Sequence, residues 1–152
     1  MKILIVSQYF WPESFRINDL AEELKKRGHE VAVLTGKPNY PQGKFHDGYS
    51  FFSPSKEEYK GVRIYRVPLI PRKEAKGFQL MLNYLSYVVF SCLFLLFHRE
   101  KYDVTLTFAI SPITQMYPAL LHKKLYKSKA CLWVQDLWPE SVTAAGKMNS
   151  SL

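Results

Sequence analysis

Glycine-rich phosphate motifs are missing from this sequence of 152 residues, which holds only 7 glycines. Neither the dinucleotide pattern GxGxxG nor the P-loop pattern GxxxxGKS/T follows any predicted strand. Both patterns need glycine because the backbone must come close to the phosphate groups of a nucleotide. The absence disfavours an NAD-dependent dehydrogenase and a P-loop nucleoside triphosphatase.

Metal-binding and nucleophilic arrangements are also missing. Cys92 and Cys131 are the 2 cysteines; each lies in an apolar run, without CxxC spacing or an adjacent histidine. We expect two buried thiols, no disulfide, no metal site and no cofactor. No Ser/His/Asp or Cys/His arrangement is present either. The remaining general-base candidates are the carboxylates that follow predicted strands: Glu13, Asp136 and Glu140.

Acidic residues are in the minority, with 13 against 21 Lys and Arg, which gives a net charge of +8. This excess favours an anionic partner: nucleic acid, a phosphorylated small molecule or an anionic membrane surface. The basic residues form no stripe interleaved with aromatic residues, so we do not expect nucleic acid. The first apolar run is too short for a signal peptide, and the expected location is therefore cytoplasmic.

Short apolar runs alternate with amphipathic or apolar segments along the whole chain. Strands are predicted over residues 2–7, 30–35, 62–68, 103–108 and 130–135, and helices over residues 16–27, 74–100 and 111–127. Residues 36–61 are expected to form a long loop, and residues 62–68 a strand near the sheet edge with one solvated face. The alternation predicts one α/β domain over residues 1–152, doubly wound around a mainly parallel, Rossmann-like sheet.

The tetrapeptide Trp-Pro-Glu-Ser occurs twice, from Trp11 and from Trp138, each time directly after a predicted buried strand. The carboxyl ends of parallel strands share one edge, where open α/β sheets bind ligands. The repeat can serve structure, with Trp covering the sheet and Pro-Glu starting a helix. It can also serve a ligand site, which would explain Arg16 and Asp136 at the same edge. Helix N-termini at Ser14 and Ser111 could hold an anionic or hydroxylated ligand.

Residues 77–97 carry no formal charge and admit three interpretations: a membrane span, a buried helix or a surface contact with a bilayer. Their place between two strands of one sheet argues against a span. We expect burial from Val88 onward and membrane contact in the first half, next to basic residues at positions 72, 73 and 76. The predicted membrane contacts are Phe78, Leu80, Met81, Leu82, Tyr84 and Leu85.

Several stretches resemble, in order, the N-terminal domain of retaining GT-B glycosyltransferases of family 4. They read "ELKKRGHEVAVLT", "KPNYPQGK", "GVRIYRVP", "NYLSY", "ISP" and "VQDLWPES". The resemblance is greatest to the bacterial branch that builds capsular, O-antigen or exopolysaccharide (lipopolysaccharide-type) repeats. It implies one half of a GT-B fold.

The resemblance implies a hexosyltransferase, peripheral on the inner face of the cell membrane, that uses a nucleotide-diphosphate sugar and a lipid-linked or other saccharide acceptor. In such enzymes the N-terminal domain holds the acceptor, and a second, C-terminal domain binds the donor. That second domain is absent from this chain, which is therefore expected to be truncated and inactive alone. The rival interpretations are a non-catalytic binding or scaffold module and another Rossmann-type nucleotide-binding protein.

Carried over by position, the resemblance assigns a set of residues to the cleft between the two domains. They are Pro12, Glu13, Ser14, Arg16, Asn39, Tyr40, Ser111, Gln135 and Glu140, with Asp136 as the hypothesised catalytic residue. Two positions depart from the family pattern. Ser14 and Phe15 stand where many members have a glycine pair, and Gln135 and Asp136 stand where many have a histidine.

Overall fold

The computed structural model describes residues 1–74, 76–110 and 112–135. The strands in these residues are β1 (Lys2–Val6), β2 (Glu30–Gly36), β3 (Lys56–Tyr59), β4 (Val62–Val67), β5 (Val104–Ala109) and β6 (Lys129–Val134). The helices are α1 (Arg16–Lys26), α2 (Gly77–Phe97) and α3 (Tyr117–Tyr126), with a 3₁₀ turn at Ile113–Met116.

All six strands form one sheet in the order β3-β4-β2-β1-β5-β6. Every pair is parallel except β3 with β4. In the centre, Ile5 of β1 lies between Val33 of β2 and Leu106 of β5. The doubly wound, mainly parallel Rossmann-like fold predicted from the sequence is confirmed.

Two apolar clusters cover the two faces of the sheet. Leu4 and Val6 point to the cluster that includes Tyr87 of α2, whereas Ile3 and Ile5 point to the cluster under α1. Successive side chains of a strand lie on opposite faces, and β1 is apolar on both faces because both are covered. The continuous apolar run at residues 2–7 therefore predicted a central strand correctly.

Two expectations about the strands are wrong. Strand β3 lies inside the predicted loop and pairs antiparallel with β4 through a two-residue turn at Lys60 and Gly61, whose φ angles are 50° and 78°. Strand β4 lies next to the edge strand, which agrees with the expected position near the sheet edge. The expected solvated face, however, does not exist at Arg66, which is buried. The alternation of basic and apolar residues predicted solvent exposure wrongly, because the Arg66 guanidinium has hydrogen-bond and ion-pair partners inside the protein.

Helix boundaries differ from the prediction at α2 and α3. The extended conformation of Lys76 and His98 limits α2 to Gly77–Phe97. Before α3, a 3₁₀ turn replaces the first turn of the predicted helix, and α3 starts next to Pro118, which lacks an N–H donor. Helix α1 starts at Arg16 as predicted and is followed by Gly28 with φ +83°.

The two cysteines are less buried than expected. Cys92 is partly buried on α2 and Cys131 is exposed on β6. Residues from Cys131 to Val134, on the last strand of the described sheet, are exposed on both faces. The prediction of a buried thiol is thus wrong for Cys131.

Helix α2 turns a partly polar face to the protein and an apolar face to the outside. The buried residues are Asn83, Ser86, Tyr87, Ser91 and Leu95. The exposed apolar residues, with exposures from 44% to 82%, are Phe78, Met81, Leu85, Val89, Leu93, Leu96 and Phe97. This is the reverse of an ordinary surface helix. Burial of the half from Val88 onward therefore holds for one face only: Ser91 and Leu95 are buried, whereas Leu93 and Phe97 are exposed.

By length and composition alone, α2 could cross a membrane; its most apolar stretch has a mean hydropathy of 2.0. One helix of this kind is weak support for a span, since buried helices of soluble proteins also reach such values. The strands β4 and β5, which α2 connects, belong to the same sheet. This connection argues against a span and leaves the exposed apolar face to be explained.

Candidate functional site

The site lies at the carboxyl edge of the sheet, beside β1. From β1 the sheet continues through β2 and β4 on one side and through β5 and β6 on the other. In open α/β sheets such a reversal of strand order opens a crevice beyond the strand ends, and ligands bind there. The loops that follow β1, β2 and β4 meet at this edge.

Glu13 joins the loops that follow β1 and β2. Its carboxylate accepts hydrogen bonds from the backbone N–H groups of Asn39 (2.9 Å), Tyr40 (2.8 Å) and Phe10 (3.3 Å). The residue is 3% exposed. Burial raises the pKa of Glu13 to about 7, although the three N–H groups favour the ionised form. Glu13 therefore holds two loops together from inside, and its carboxylate does not face the crevice.

A chain of amide side chains connects this edge to α2. Nε2 of Gln8 donates to Oδ1 of Asn83 at 2.7 Å. Nδ2 of Asn83 donates to the Ile70 carbonyl at 2.6 Å and lies 3.4 Å from Oδ1 of Asn39. The Gln8 backbone N–H donates to Oε1 of Gln115 at 3.1 Å. All four amide residues are buried, and each belongs to a different segment of the chain.

Three aromatic rings and one cation cluster at the same edge. The ring centroids of Tyr9, Phe15 and Tyr40 lie 5.3 to 5.5 Å apart. The Arg72 guanidinium lies 5.1 Å from the Tyr40 ring centroid, and its Nη1 donates to the Tyr9 hydroxyl at 3.4 Å. Burial raises the pKa of Tyr9, so this hydroxyl stays protonated at neutral pH.

A buried basic pair anchors the long segment between β2 and β3. Nε of Arg66 lies 2.8 Å from the Glu57 carboxylate, and the guanidinium also donates to the Trp11 carbonyl. Nζ of Lys37 donates to the carbonyls of Ser53 at 2.7 Å and Pro54 at 2.6 Å. Burial lowers the pKa of Lys37. Sequence reasoning missed both cations as site-forming residues.

Two concave surfaces adjoin these residues, and their linings differ in chemistry. The polar pocket, about 590 Å³, is lined by Trp11, Pro12, Gln42, Lys44, Phe45, His46, Asp47 and Tyr49. The apolar groove, about 660 Å³, is lined by Gly77, Leu80, Met81, Tyr84, Leu85, Val88, Pro112, Thr114 and Tyr117. Both volumes are in the range of roughly 300 to 1,000 Å³ that is usual for small-molecule sites.

Metal ligands do not cluster in the described part of the chain. Among residues 1–74, 76–110 and 112–135, no group of three His, Cys, Asp or Glu side chains could hold a metal ion.

Comparison with known proteins gives the family. The sequence pattern of the family described as "Glycosyl transferase 4-like domain" matches residues 14–148. The chain belongs to this glycosyltransferase family. The resemblance found in the sequence motifs is thereby confirmed.

One relative and one solved structure extend the comparison. The glycosyltransferase domain is 28% identical over 151 residues to an Escherichia coli (strain K12) protein that is named as a colanic acid biosynthesis glycosyl transferase, WcaI. The match covers 96% of this chain and 37% of that protein, so the chain spans little more than a third of its relative. The C-terminal domain of a hydrogenase from Pyrococcus furiosus has the same fold. The two structures align with a TM-score of 0.57 at 17% sequence identity, and the alignment covers 87% of this chain and 90% of the hydrogenase domain.

The predicted cleft residues of the glycosyltransferase domain occupy different environments. Pro12, Ser14, Arg16, Tyr40 and Gln135 are exposed, and Gln135 continues the pairing of β6 with β5 through a bond of its N–H to the Ala109 carbonyl. Glu13 and Asn39 are buried and in direct contact with each other. Ser111, Asp136 and Glu140 lie outside the described residues.

Sequence reasoning missed mainly buried residues that hold the segments of the site in place through hydrogen bonds or ion pairs. Asn83 carried one signal, because an amide within an uncharged apolar helix needs a hydrogen-bond partner. For Arg66, the alternation of basic and apolar residues in β4 predicted a position in solvent. For Gln8, at the end of an apolar run, the sequence offered no indication of partners more than 70 residues away.

Proposed function

We propose that this chain is the acceptor-side domain of a retaining hexosyltransferase in bacterial surface polysaccharide synthesis. The enzyme would move a sugar from a nucleotide-diphosphate sugar to a lipid-linked saccharide without a metal ion. The observation that carries this proposal is the junction around Glu13 and Asn39. It fixes the loops after β1, β2 and β4 as one surface at the carboxyl edge of the sheet, in a chain of the glycosyltransferase family.

The junction would serve an acceptor by holding its binding loops in place before the acceptor arrives. Asn39 accepts a bond from the Arg72 backbone N–H at 3.3 Å, in addition to its bonds with Glu13 and Asn83. Loops that are ordered in advance lose less conformational entropy on binding. Exposed side chains on this surface, such as Arg16 and Tyr40, would then meet the acceptor directly.

The donor nucleotide would bind outside this chain. The chain spans 37% of the relative with the colanic acid name, and its loops lack the glycine patterns that bring a backbone close to phosphates. We therefore expect the 152-residue chain alone to be inactive. Asp136 stays the hypothesised catalytic residue.

The exposed face of α2 supports a peripheral location on the inner face of the cell membrane. Its apolar stripe continues from Phe78 to Phe97, and Lys73 and Lys76 are exposed just before its first turn. Basic residues beside an apolar face suit a bilayer surface with anionic headgroups. The apolar groove, which begins at Gly77 beside these cations, would take the first part of the acceptor's lipid chain, with its phosphates near Lys76.

The test is a transfer assay on the whole protein that contains this domain. Labelled nucleotide-diphosphate sugars and a polyprenyl-diphosphate-linked saccharide extract serve as substrates, and Arg16→Ala, Asp136→Asn and Lys26→Ala are compared. Lys26 is a matched control because it is an exposed cation on the same helix that pairs with Glu22. We expect transfer by the native protein and the control, and a loss of at least about 100-fold in the other two, comparable to the loss of one transition-state contact.

Two results would count against the proposal in different ways. Absence of transfer from every nucleotide-diphosphate sugar would overturn the function. Activity retained in both Arg16→Ala and Asp136→Asn, with unchanged melting temperatures, would overturn the site assignment and leave the function standing.

A further inference from the structure

Among the predicted cleft residues that the structure describes, Pro12 lines the polar pocket, next to Trp11 of the same motif. We propose that this pocket binds one or two sugar rings of the acceptor saccharide. The inference rests on the proposed function and deepens it by assigning a subsite and the residues that select the sugar.

The lining combines the two kinds of group that a sugar ring requires. Trp11, Phe45 and Tyr49 supply aromatic surface, and Gln42 and Asp47 supply amide and carboxylate groups, in one pocket of about 590 Å³. A pyranose presents C–H groups on its ring faces and hydroxyl groups around its rim. Aromatic rings can pack on the C–H faces, while amides and carboxylates form hydrogen bonds with the hydroxyl groups.

Two of the aromatic rings are fixed by contacts within the domain. The Trp11 ring stacks on the Tyr59 ring, with centroids 5.0 Å apart and an interplanar angle of 21°. The Arg66 guanidinium lies 5.0 Å from the Tyr49 ring centroid, and the Tyr49 hydroxyl donates to Glu57 at 3.1 Å. Rings held in this way form a rigid surface, so a sugar binds without the cost of ordering them.

His46 connects the pocket to the junction around Glu13. One nitrogen of its ring, Nε2, lies 2.7 Å from the Tyr40 carbonyl, and this contact requires a proton on Nε2. The neutral ring then has Nδ1 as an acceptor for a sugar hydroxyl. The Tyr40 backbone N–H in turn donates to Glu13 at 2.8 Å. The histidine is therefore oriented by the same loop that the buried carboxylate fixes.

The apolar groove does not compete for this ligand. Among the residues that the structure describes, its lining contains no charged or amide side chain, which makes it unsuitable for a group with many hydroxyls. The loop that carries the polar pocket meets the start of α2, where the Lys73 N–H donates to the Gly43 carbonyl at 2.6 Å. A saccharide in the pocket would thus lie next to the helix that faces the proposed membrane surface.

The experiment is ligand-observed saturation-transfer NMR on the 152-residue chain. The probes are methyl glycosides of glucose, galactose, fucose and glucuronic acid, together with lactose and cellobiose. The variants are Trp11→Ala and Asp47→Ala, and the control is Phe52→Ala. Phe52 is 92% exposed and belongs to the same long segment but does not line the pocket.

We expect saturation transfer to at least one probe with the native chain and with Phe52→Ala, and a Kd raised at least about tenfold in Asp47→Ala and Trp11→Ala. Asp47 is exposed, so its replacement leaves the fold intact even if Trp11→Ala unfolds. The inference is overturned if no probe shows saturation transfer with the native chain. It is also overturned if Asp47→Ala leaves the saturation transfer to the bound probe unchanged.

A kinetic measurement separates this inference from the proposed function. In the whole protein, we expect Asp47→Ala and Gln42→Ala to raise the acceptor KM with little change in the donor KM. Sugar transfer with an unaltered acceptor KM in both variants leaves the function standing and removes the subsite. Sugar binding by a protein that transfers nothing leaves the subsite standing and removes the function.

Discussion

Nε2 of Gln8 donates a hydrogen bond of 2.7 Å to Oδ1 of Asn83, and this bond joins the end of β1 to the middle of α2. Both residues are fully buried. The bond links the helix with the exposed apolar face directly to the edge of the sheet where the candidate site lies. The position of α2 and the geometry of the site are therefore coupled through buried amide side chains.

Removal of the Asn83 amide should destabilise the fold clearly. In Asn83→Ala, the Gln8 amide and the Ile70 carbonyl lose their partner inside the protein. A buried polar group without a partner costs roughly 1–3 kcal/mol, so we expect a loss of about 2–4 kcal/mol in the free energy of unfolding in urea. Gln79→Ala is the control. It removes one partly buried bond to the Pro71 carbonyl from the same helix and should cost about 1 kcal/mol. Equal losses in both variants would contradict the role given to Asn83.

The stability contribution of Glu13 should decrease as the pH rises. Its pKa is about 7 in the folded protein and 4.5 as the ordinary value, so between these values the folded state binds more protons than the unfolded state. The contribution is complete below about pH 4.5 and is lost as the pH rises toward 7. Relative to Glu13→Gln, which does not titrate, the native chain should lose about 3 kcal/mol across this window, since one pKa unit is worth about 1.4 kcal/mol.

Urea unfolding of both proteins from about pH 4 to about pH 8 measures this difference, and the comparison cancels the titration of other groups. Parallel pH profiles would show that Glu13 titrates normally. A native chain that gains stability relative to Glu13→Gln would show that the three backbone N–H groups outweigh burial.

The buried ion pair of Arg66 should be among the more sensitive points of the domain. Its side chain is 0% exposed and lies 2.8 Å from Glu57, which would remain without its cation in Arg66→Met. Loss of one partner from a buried pair costs about 3–5 kcal/mol, and because Glu57 is 20% exposed we expect the lower end of this range. In contrast, Arg27→Met removes an exposed pair with Glu23 and should change stability by less than about 1 kcal/mol. Thermal unfolding of the two variants measures the contrast, and a small effect at Arg66 would count against its role as an anchor.

Binding of the chain to anionic liposomes should depend on the exposed face of α2. We expect cosedimentation at low salt, less at high salt, and at least about tenfold weaker binding when Phe78, Met81 and Leu85 are replaced by Ser, because three apolar side chains leave the bilayer. Lys73→Ala with Lys76→Ala should reduce the salt dependence. Phe52→Ser is the control, as an exposed aromatic residue that belongs to the segment between β2 and β3 and not to α2. Equal sedimentation of all variants, or none by the native chain, would remove the membrane proposal.

The sequence by itself determined the order of the main elements and the family. In apolar runs such as residues 2–7 and 30–35, both faces of a strand are apolar and must be shielded from water. These runs therefore predicted central parallel strands. Parallel strands then placed the segments after them at one edge, and the location of the candidate site followed from connectivity alone. The repeated Trp-Pro-Glu-Ser motif was useful in the same way, since it marked ends of strands.

Only the tertiary structure decided which polar groups lie inside. Glu13 was predicted to face the cleft and Arg66 to face solvent. Instead, Glu13 is held by N–H groups of the loop after β2, and Arg66 by Glu57 and the Trp11 carbonyl. Gln8 and Asn83 are 75 positions apart, and no local pattern indicates their contact. Burial of a charge or an amide depends on partners that the fold brings from elsewhere in the chain, whereas apolar periodicity depends on neighbours in the sequence.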